Sequence, residues 1–358
     1  MTAVSRKRFD WTGLKADLRG AVPDATAALV ITGVIFAWLY ARVSAGTSMT
    51  LQVMPDMADA RLHWMYWLCQ AFGWSALLWA WITMMLGLVR SSTRPGWLRI
   101  PAARIERWHR TTSLTTIALM FAHAIMFFAE LVRGNRYEQE WLGRLSTFFA
   151  HTFVPGAYPS GTGKIAILIG LLALYLAIPL GLAFYLRNTT GSRMWRALHR
   201  FVIVVYVLSV WHTLLYGTNV WYDGAFRTVV WLLQLPIAAL FLVRLLAPAR
   251  RSERLHLRDA ARRPGPLAAV SRLTGRLAVA ATIVVLLAVT VTGRDGGRTP
   301  GVDGAPLNVT QAQIWVGLAV LAAVIAVVAY RMRPVRQTPP DSRPAAEAHQ
   351  QRMSPPLA

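Results

Sequence analysis

Apolar residues run along this chain in long blocks rather than in a helical or alternating rhythm. Eight blocks, at about 24–44, 63–89, 109–132, 164–187, 199–220, 226–246, 274–293 and 312–331, are nearly free of charge at their centres. A helix needs roughly 20 mostly apolar residues to cross about 30 Å of hydrocarbon, and each block meets that length. Because they are apolar on every face, a period of 3.6 is hard to see, as expected of helices buried in lipid and in each other. The pattern predicts an all-α, polytopic membrane helical bundle of about eight transmembrane helices. Pro179 and Pro236 fall inside the fourth and sixth spans, where partner helices accommodate a kink. The first block follows an n-region longer than a signal peptide uses, so it is expected to stay in place as a span.

The polar segments between the blocks set the orientation. The chain carries 38 Lys and Arg against 16 Asp and Glu, a formal charge of +22, which by itself would suggest a nucleic-acid partner. Sorted by segment, 29 of the 38 basic residues lie in the stretches up to and including Arg19, from Arg90 to Arg110, from Arg187 to Arg200, from Arg244 to Arg276, or in the C-terminal tail. Only nine occupy the alternating segments. Cytoplasmic loops carry the excess of Lys and Arg, so both termini are expected to be cytoplasmic, in a multi-pass inner (plasma) membrane protein whose partner is the lipid bilayer. With the basic residues spread over five segments, no nucleic-acid-binding domain is expected. Only three of the basic residues are Lys, a composition that points to a high-GC bacterial source. A single cysteine, Cys69, excludes a disulfide framework and a CxxC centre. The outer segment from Arg133 to Gly163, rich in aromatic and turn residues, is expected to lie along the membrane interface. The domains expected are a basic N-terminus (1–23), a six-helix core (24–246), a basic loop (247–273), two extra C-terminal spans (274–331) and a disordered tail rich in Pro, Arg, Gln and Ala (332–358).

Four of the eight histidines form a pattern. The third span carries His109 and His123, 14 residues apart, and the fifth carries His199 and His212, 13 apart. Both helices start from a basic loop, so they run parallel, and the histidines come to two matched depths separated by about 21 and about 20 Å along the axes. Polar side chains inside lipid are costly and functional by default, and a b-type haem takes two imidazoles from opposite sides of one macrocycle. The inferred pairs are His109 with His199 for an inner haem and His123 with His212 for an outer one. Arg107, Arg110, Arg196 and Arg200 flank the inner pair, where they either neutralise haem propionates or serve only as the positive-inside signal. Thirteen residues leave an ideal helix about 140° from its starting face. The fifth span therefore needs a bulge, such as a π-bulge, or a tilt, or ligands presented at different angles. His63 and His151, on the outer side, are weaker candidates, more readily read as interfacial residues. His256 and His349 carry no argument. Glu130 lies toward the outer end of the third span, where it could pair with Arg133.

The H-x13-H in one span and H-x12-H two spans later resemble the ferric reductase-like transmembrane domain shared by ferric reductases, NADPH oxidases and the haem subunit of the bacterial methionine sulfoxide reductase system. That resemblance covers about residues 24–246. It implies a six-helix bundle with two bis-histidine b haems, His109 and His199 as inner ligands, His123 and His212 as outer ligands, and electron flow from the cytoplasm outward. The chain departs from the flavin-bearing members: residues 247–273 are a short Arg-rich loop leading to further spans, and no GxGxxG fingerprint occurs. Electrons must then come from a separate flavoprotein, a ferredoxin-type reductase or quinol. They would leave to ferric iron, oxygen, or a periplasmic or extracellular redox protein. A quinol-linked cytochrome b of the b561 or dehydrogenase-anchor type is the alternative, and a haem-free transporter a more distant one.

Overall fold

The computed structural model describes residues 9–92, 99–159, 161–221, 224–246 and 310–331, together with a few isolated positions between 277 and 287. Among these residues the secondary structure is helical throughout, and six helices are long and apolar enough to cross a membrane. The first, α1 (Trp11–Gly20), is short and precedes the spans. The spans begin with α2 (Val22–Ser44), α3 (Trp64–Ser91) and α4 (Ala102–Gly134). An interfacial helix α5 (Trp141–Phe153) leads to α6 (Gly161–Leu182). After the short α7 (Arg187–Thr190), the fifth span consists of α8 (Ser192–His199) and α9 (Val202–Tyr216). The sixth consists of α10 (Ala225–Leu232) and α11 (Gln234–Leu246). The expected total of about eight is not reached among the described residues. The seventh expected span, 274–293, lies outside them apart from isolated positions, as do 247–273 and 332–358. The eighth corresponds to α12 (Gln311–Arg331), whose stretch Gln311–Val320 is apolar.

Four helices form a closed square that positions the site. Neighbouring contacts join α3 to α4, α4 to α6, α6 to α9 and α9 back to α3. The diagonals, α4 with α9 and α3 with α6, are not close-packed among the described residues. Around the square, α2 and α11 pack on α3, α5 packs on α4, and α12 lies against α6 and α8. A large apolar cluster centred on Leu39, Trp74, Tyr206, Val210 and Ile237 joins α2, α3, α9 and α11. A second one, with Ala166, Ile169, Leu215 and Ile314, ties α12 to α6 and α9. Packing without water leaves polar side chains to pair between helices. Thr32 donates to Ser75 Oγ at 2.8 Å, Trp79 Nε1 to Asp24 at 3.0 Å, and the buried Tyr206 hydroxyl to Gln234 Oε1 at 2.6 Å.

Two local departures have physical causes. The sixth span breaks at Leu233 because Pro236, which has no N–H to give, falls in the first turn of α11, where the missing donor costs nothing. Trp81 Nε1 donates to the Leu233 carbonyl at 2.6 Å and caps the break. The outer segment expected along the interface contains a helix rather than an irregular loop: Trp141, Leu142 and Phe149 stay exposed on α5 while Phe148 and Thr152 are buried.

Candidate functional site

The square opens its diagonal to the four histidines. The rings of His109 on α4 and His199 on α8 face each other with centroids 5.7 Å apart and planes at 87°. One level further along, His123 on α4 and His212 on α9 face each other at 6.0 Å and 74°. The fifth span meets its 13-residue spacing by tightening where a π-bulge would have loosened it. At the junction of α8 and α9, Arg200, Phe201 and Val204 donate to carbonyls three residues back, those of Ala197, Leu198 and Phe201. Such 3₁₀ turns wind by about 120° per residue against about 100° in an α-helix, so the few found here recover roughly half of the angular mismatch.

The hydrogen bonds settle the tautomer of three rings. His109 Nδ1 lies 2.9 Å from the Thr83 carbonyl, His123 Nδ1 2.8 Å from that of Cys69, and His212 Nδ1 2.7 Å from that of Ala166. A carbonyl only accepts, so each Nδ1 carries the proton and each Nε2 keeps a lone pair free for a metal. His199 has no hydrogen-bond acceptor among the described residues and instead stacks on Trp195, with ring centroids 5.6 Å apart. The accepting residue Thr83 is itself anchored. Its hydroxyl donates to Thr112 Oγ1 at 2.9 Å and lies 3.3 Å from Thr116 Oγ1, which fixes α3 against α4 between the two levels.

The His109–His199 level sits at the end of the bundle that gathers the arginines. A small cavity opens beside both rings and is bordered by Arg90, Glu106, Arg110, Phe184, Tyr185 and Trp195. Of the sequence-derived arginines, Arg110 lines this cavity, whereas Arg200 follows His199 as an exposed residue. Arg107 is exposed and Arg196 half-buried. Arg110 already has acidic neighbours. Its Nε lies 2.9 Å from Asp17 Oδ2, an ion pair rather than an aligned hydrogen bond, and its Nη1 3.3 Å from Glu106. Glu106 also pairs with Arg90 at 3.3 Å. Asp17 comes from α1 and in addition accepts the Tyr185 hydroxyl at 2.9 Å. At the opposite end, Arg133 grips Glu130 through two bonds of 3.0 and 2.5 Å, and His63 Nδ1 lies 3.0 Å from the same carboxylate. His151 packs among the rings of Tyr137, Phe148 and Tyr158.

Residue-type patterns alone do not point to Asp17, Arg90, Glu106, Tyr185 and Trp195 at the His109–His199 level, nor to the carbonyls that orient the rings. One signal was available: Gly73 and Gly87 are 14 residues apart on α3, the same spacing as His109 and His123 on the antiparallel α4. Among the described residues no three His, Cys, Asp or Glu side chains converge on one point, so the histidines meet as pairs. Residues 72–210 match the family model described as ferric reductase like transmembrane component. The match runs from α3 into α9 and includes His109, His123 and His199, while His212 lies two residues past its end. No curated protein and no solved structure matches the chain. Over residues 72–210, then, the chain is similar to the ferric reductase like transmembrane component.

Proposed function

We propose that this protein carries electrons across the membrane through two b-type haems, one held by His109 and His199, the other by His123 and His212. A single observation supports this most: two histidine pairs oppose each other across the open diagonal, with the Nδ1 protons of three rings committed to carbonyls. The geometry fits the group. Two metal–imidazole bonds of about 2.0–2.1 Å each, with the ring radius added at both ends, separate centroids by about 6.4 Å. The observed 5.7 and 6.0 Å fall short of that value by less than an ångström, so a small outward shift of the rings would accommodate the iron. The buried Trp195 Nε1 beside His199 has no hydrogen-bond partner, a donor free for an anionic edge such as a propionate. When bound, the haems supply one-electron relay sites at two depths.

Protein side chains provide the surroundings. Nδ1 bonds to carbonyls hold the imidazoles in one orientation and raise their basicity toward iron. The apolar walls of the square exclude water. Arg90 and Arg110 place positive charge at the inner level, favourable for propionates there and for an acidic donor. Arg200, exposed next to His199, serves that donor surface in this reading. Donor and acceptor follow the sequence reading: a separate flavoprotein, ferredoxin-type reductase or quinol on the basic side, and ferric iron, oxygen or a redox protein on the other. The test is vectorial. Purified protein is reconstituted into vesicles with a trapped ferric chelate, and reductant is added outside. Transfer to the trapped iron, lost in His123→Ala/His212→Ala, is expected; the same rate from protein-free vesicles would refute the proposal. Comparing a flavoprotein with a quinol as reductant separates the two donor classes.

A further inference from the structure

The four histidines are not held alike, and the difference lies in the helix each one leans on. His109, His123 and His212 reach the carbonyls of Thr83, Cys69 and Ala166. In every case the residue four positions beyond the acceptor is glycine: Gly87, Gly73 and Gly170. A Cβ built on Gly87 would lie 3.0 Å from His109 Cε1, one on Gly73 3.0 Å from His123 Nδ1, and one on Gly170 2.8 Å from His212 Nδ1. Real Cβ atoms seldom or never come so close to a neighbour.

The recurrence follows from helix geometry. A helical carbonyl at position i accepts the N–H of residue i+4, and the Cβ of residue i+4 tilts back toward the N-terminus, over that same carbonyl. An ordinary side chain there shields the second lone pair from a lateral donor. Glycine uncovers it and gives the imidazole room to lie flat against the helix. His199 has neither feature. Gly181, on the same helix as Gly170, instead faces Ile117 and Ser113.

We infer that Gly73, Gly87 and Gly170 are positioning residues for three of the four haem ligands, each uncovering one carbonyl that fixes an imidazole, while His199 is left without a clamp. This rests on the bis-histidine haem reading above. The outer level is then clamped from both sides, by α3 and α6, and the inner level from one side only, by α3. An imidazole that loses its Nδ1 bond becomes a weaker donor to iron, so removing a clamp raises the midpoint potential at that level alone.

The full-length protein is purified as wild type, Gly73→Ala, Gly87→Ala and Gly170→Ala, with Gly33→Ala as a control because nothing lies within 4 Å of its Cβ. Redox titration with low-spin EPR resolves two waves, assigned by their loss in His109→Ala and in His123→Ala. Gly87→Ala is expected to shift upward only the inner wave, Gly73→Ala and Gly170→Ala only the outer wave, and Gly33→Ala neither. Glycine variants matching Gly33→Ala, or moving both waves alike, would overturn the inference while leaving the haem reading intact. A wild type without low-spin haem would sink both. Should an alanine variant fail to accumulate, the wild type decides. On transfer to deuterated buffer, ENDOR should show one ligand Nδ1 proton exchanging ahead of the other three, and uniform exchange of all four would overturn the inference.

Discussion

Asp17 offers a sharp test of how the N-terminal helix supports the His109–His199 level. Its buried carboxylate accepts the Tyr185 hydroxyl at 2.9 Å and pairs with Arg110 Nε at 2.9 Å. Replacing it by alanine removes both contacts and leaves Arg110 sharing Glu106 with Arg90. A neutral hydrogen bond contributes about 1 kcal/mol, and an ion pair to an arginine side chain 28% exposed about 1 more after solvent screening. Asp17→Ala is therefore expected to cost about 2 kcal/mol, and Asp17→Asn, which keeps an acceptor for Tyr185, about half of that. Equilibrium unfolding in mixed micelles gives the values, with Lys15→Ala on an exposed position of the same helix as reference. If Asp17→Ala came within about 0.5 kcal/mol of Lys15→Ala, the range of an ordinary surface change, α1 would not be docked through this residue.

Further outcomes are expected elsewhere. Glu130→Ala leaves Arg133 and His63 facing each other without a carboxylate and should cost about 2 kcal/mol in the same unfolding assay, with Arg133 partly exposed and therefore partly screened. Tyr206→Phe removes a buried bond to Gln234 and should cost about 1 kcal/mol, near the upper range for interhelical bonds in membranes. The nearly perpendicular ring planes, 87° and 74°, should give the strongly anisotropic low-spin EPR signals of crossed imidazoles; rhombic signals of parallel planes would contradict the ring geometry. Asp59 is held below its ordinary 3.8 first by the Leu62 amide and then by that of Arg61. Its depressed folded value means that its contribution is present above 3.8 and lost as pH falls through the folded value. Protection factors of the Arg61 and Leu62 amides, which remove the intrinsic pH dependence of exchange, should fall at that acid end, and Asp59→Asn should remove that fall.

The apolar blocks located six spans to within a few residues because burial in lipid demands uninterrupted hydrophobicity. The largest shifts are at α4 and α8, which start at Ala102 and Ser192, each seven residues before its apolar block, since their first turns carry arginines in the basic end. Matching depths of the histidines followed from helix polarity and residue counts alone, and the rings do face one another. What the residue types concealed was rotation about the helix axis. Neither Pro nor Gly announces the tightened turn after His199, because 3₁₀ turns at a helix junction need no special residue. The docking of α1 was hidden by counting. Asp10 and Asp17 are minor terms in a basic segment, yet Asp17 holds Arg110 and Tyr185 while Asp10 lies 3.4 Å from Arg187. Gly73 and Gly87 were legible as a spacing, but their meaning requires knowing that α3 is antiparallel to α4 and in contact with it along its length.

The central claim is that two histidine pairs at two depths each hold one haem. Haem-to-protein stoichiometry, measured by pyridine haemochrome on purified wild type, His109→Ala/His199→Ala and His123→Ala/His212→Ala, tests it most directly. Two b haems in the wild type, and one in each double variant with a different redox wave missing, are predicted. A wild type without a b-type band, or double variants that keep both haems, would contradict the account.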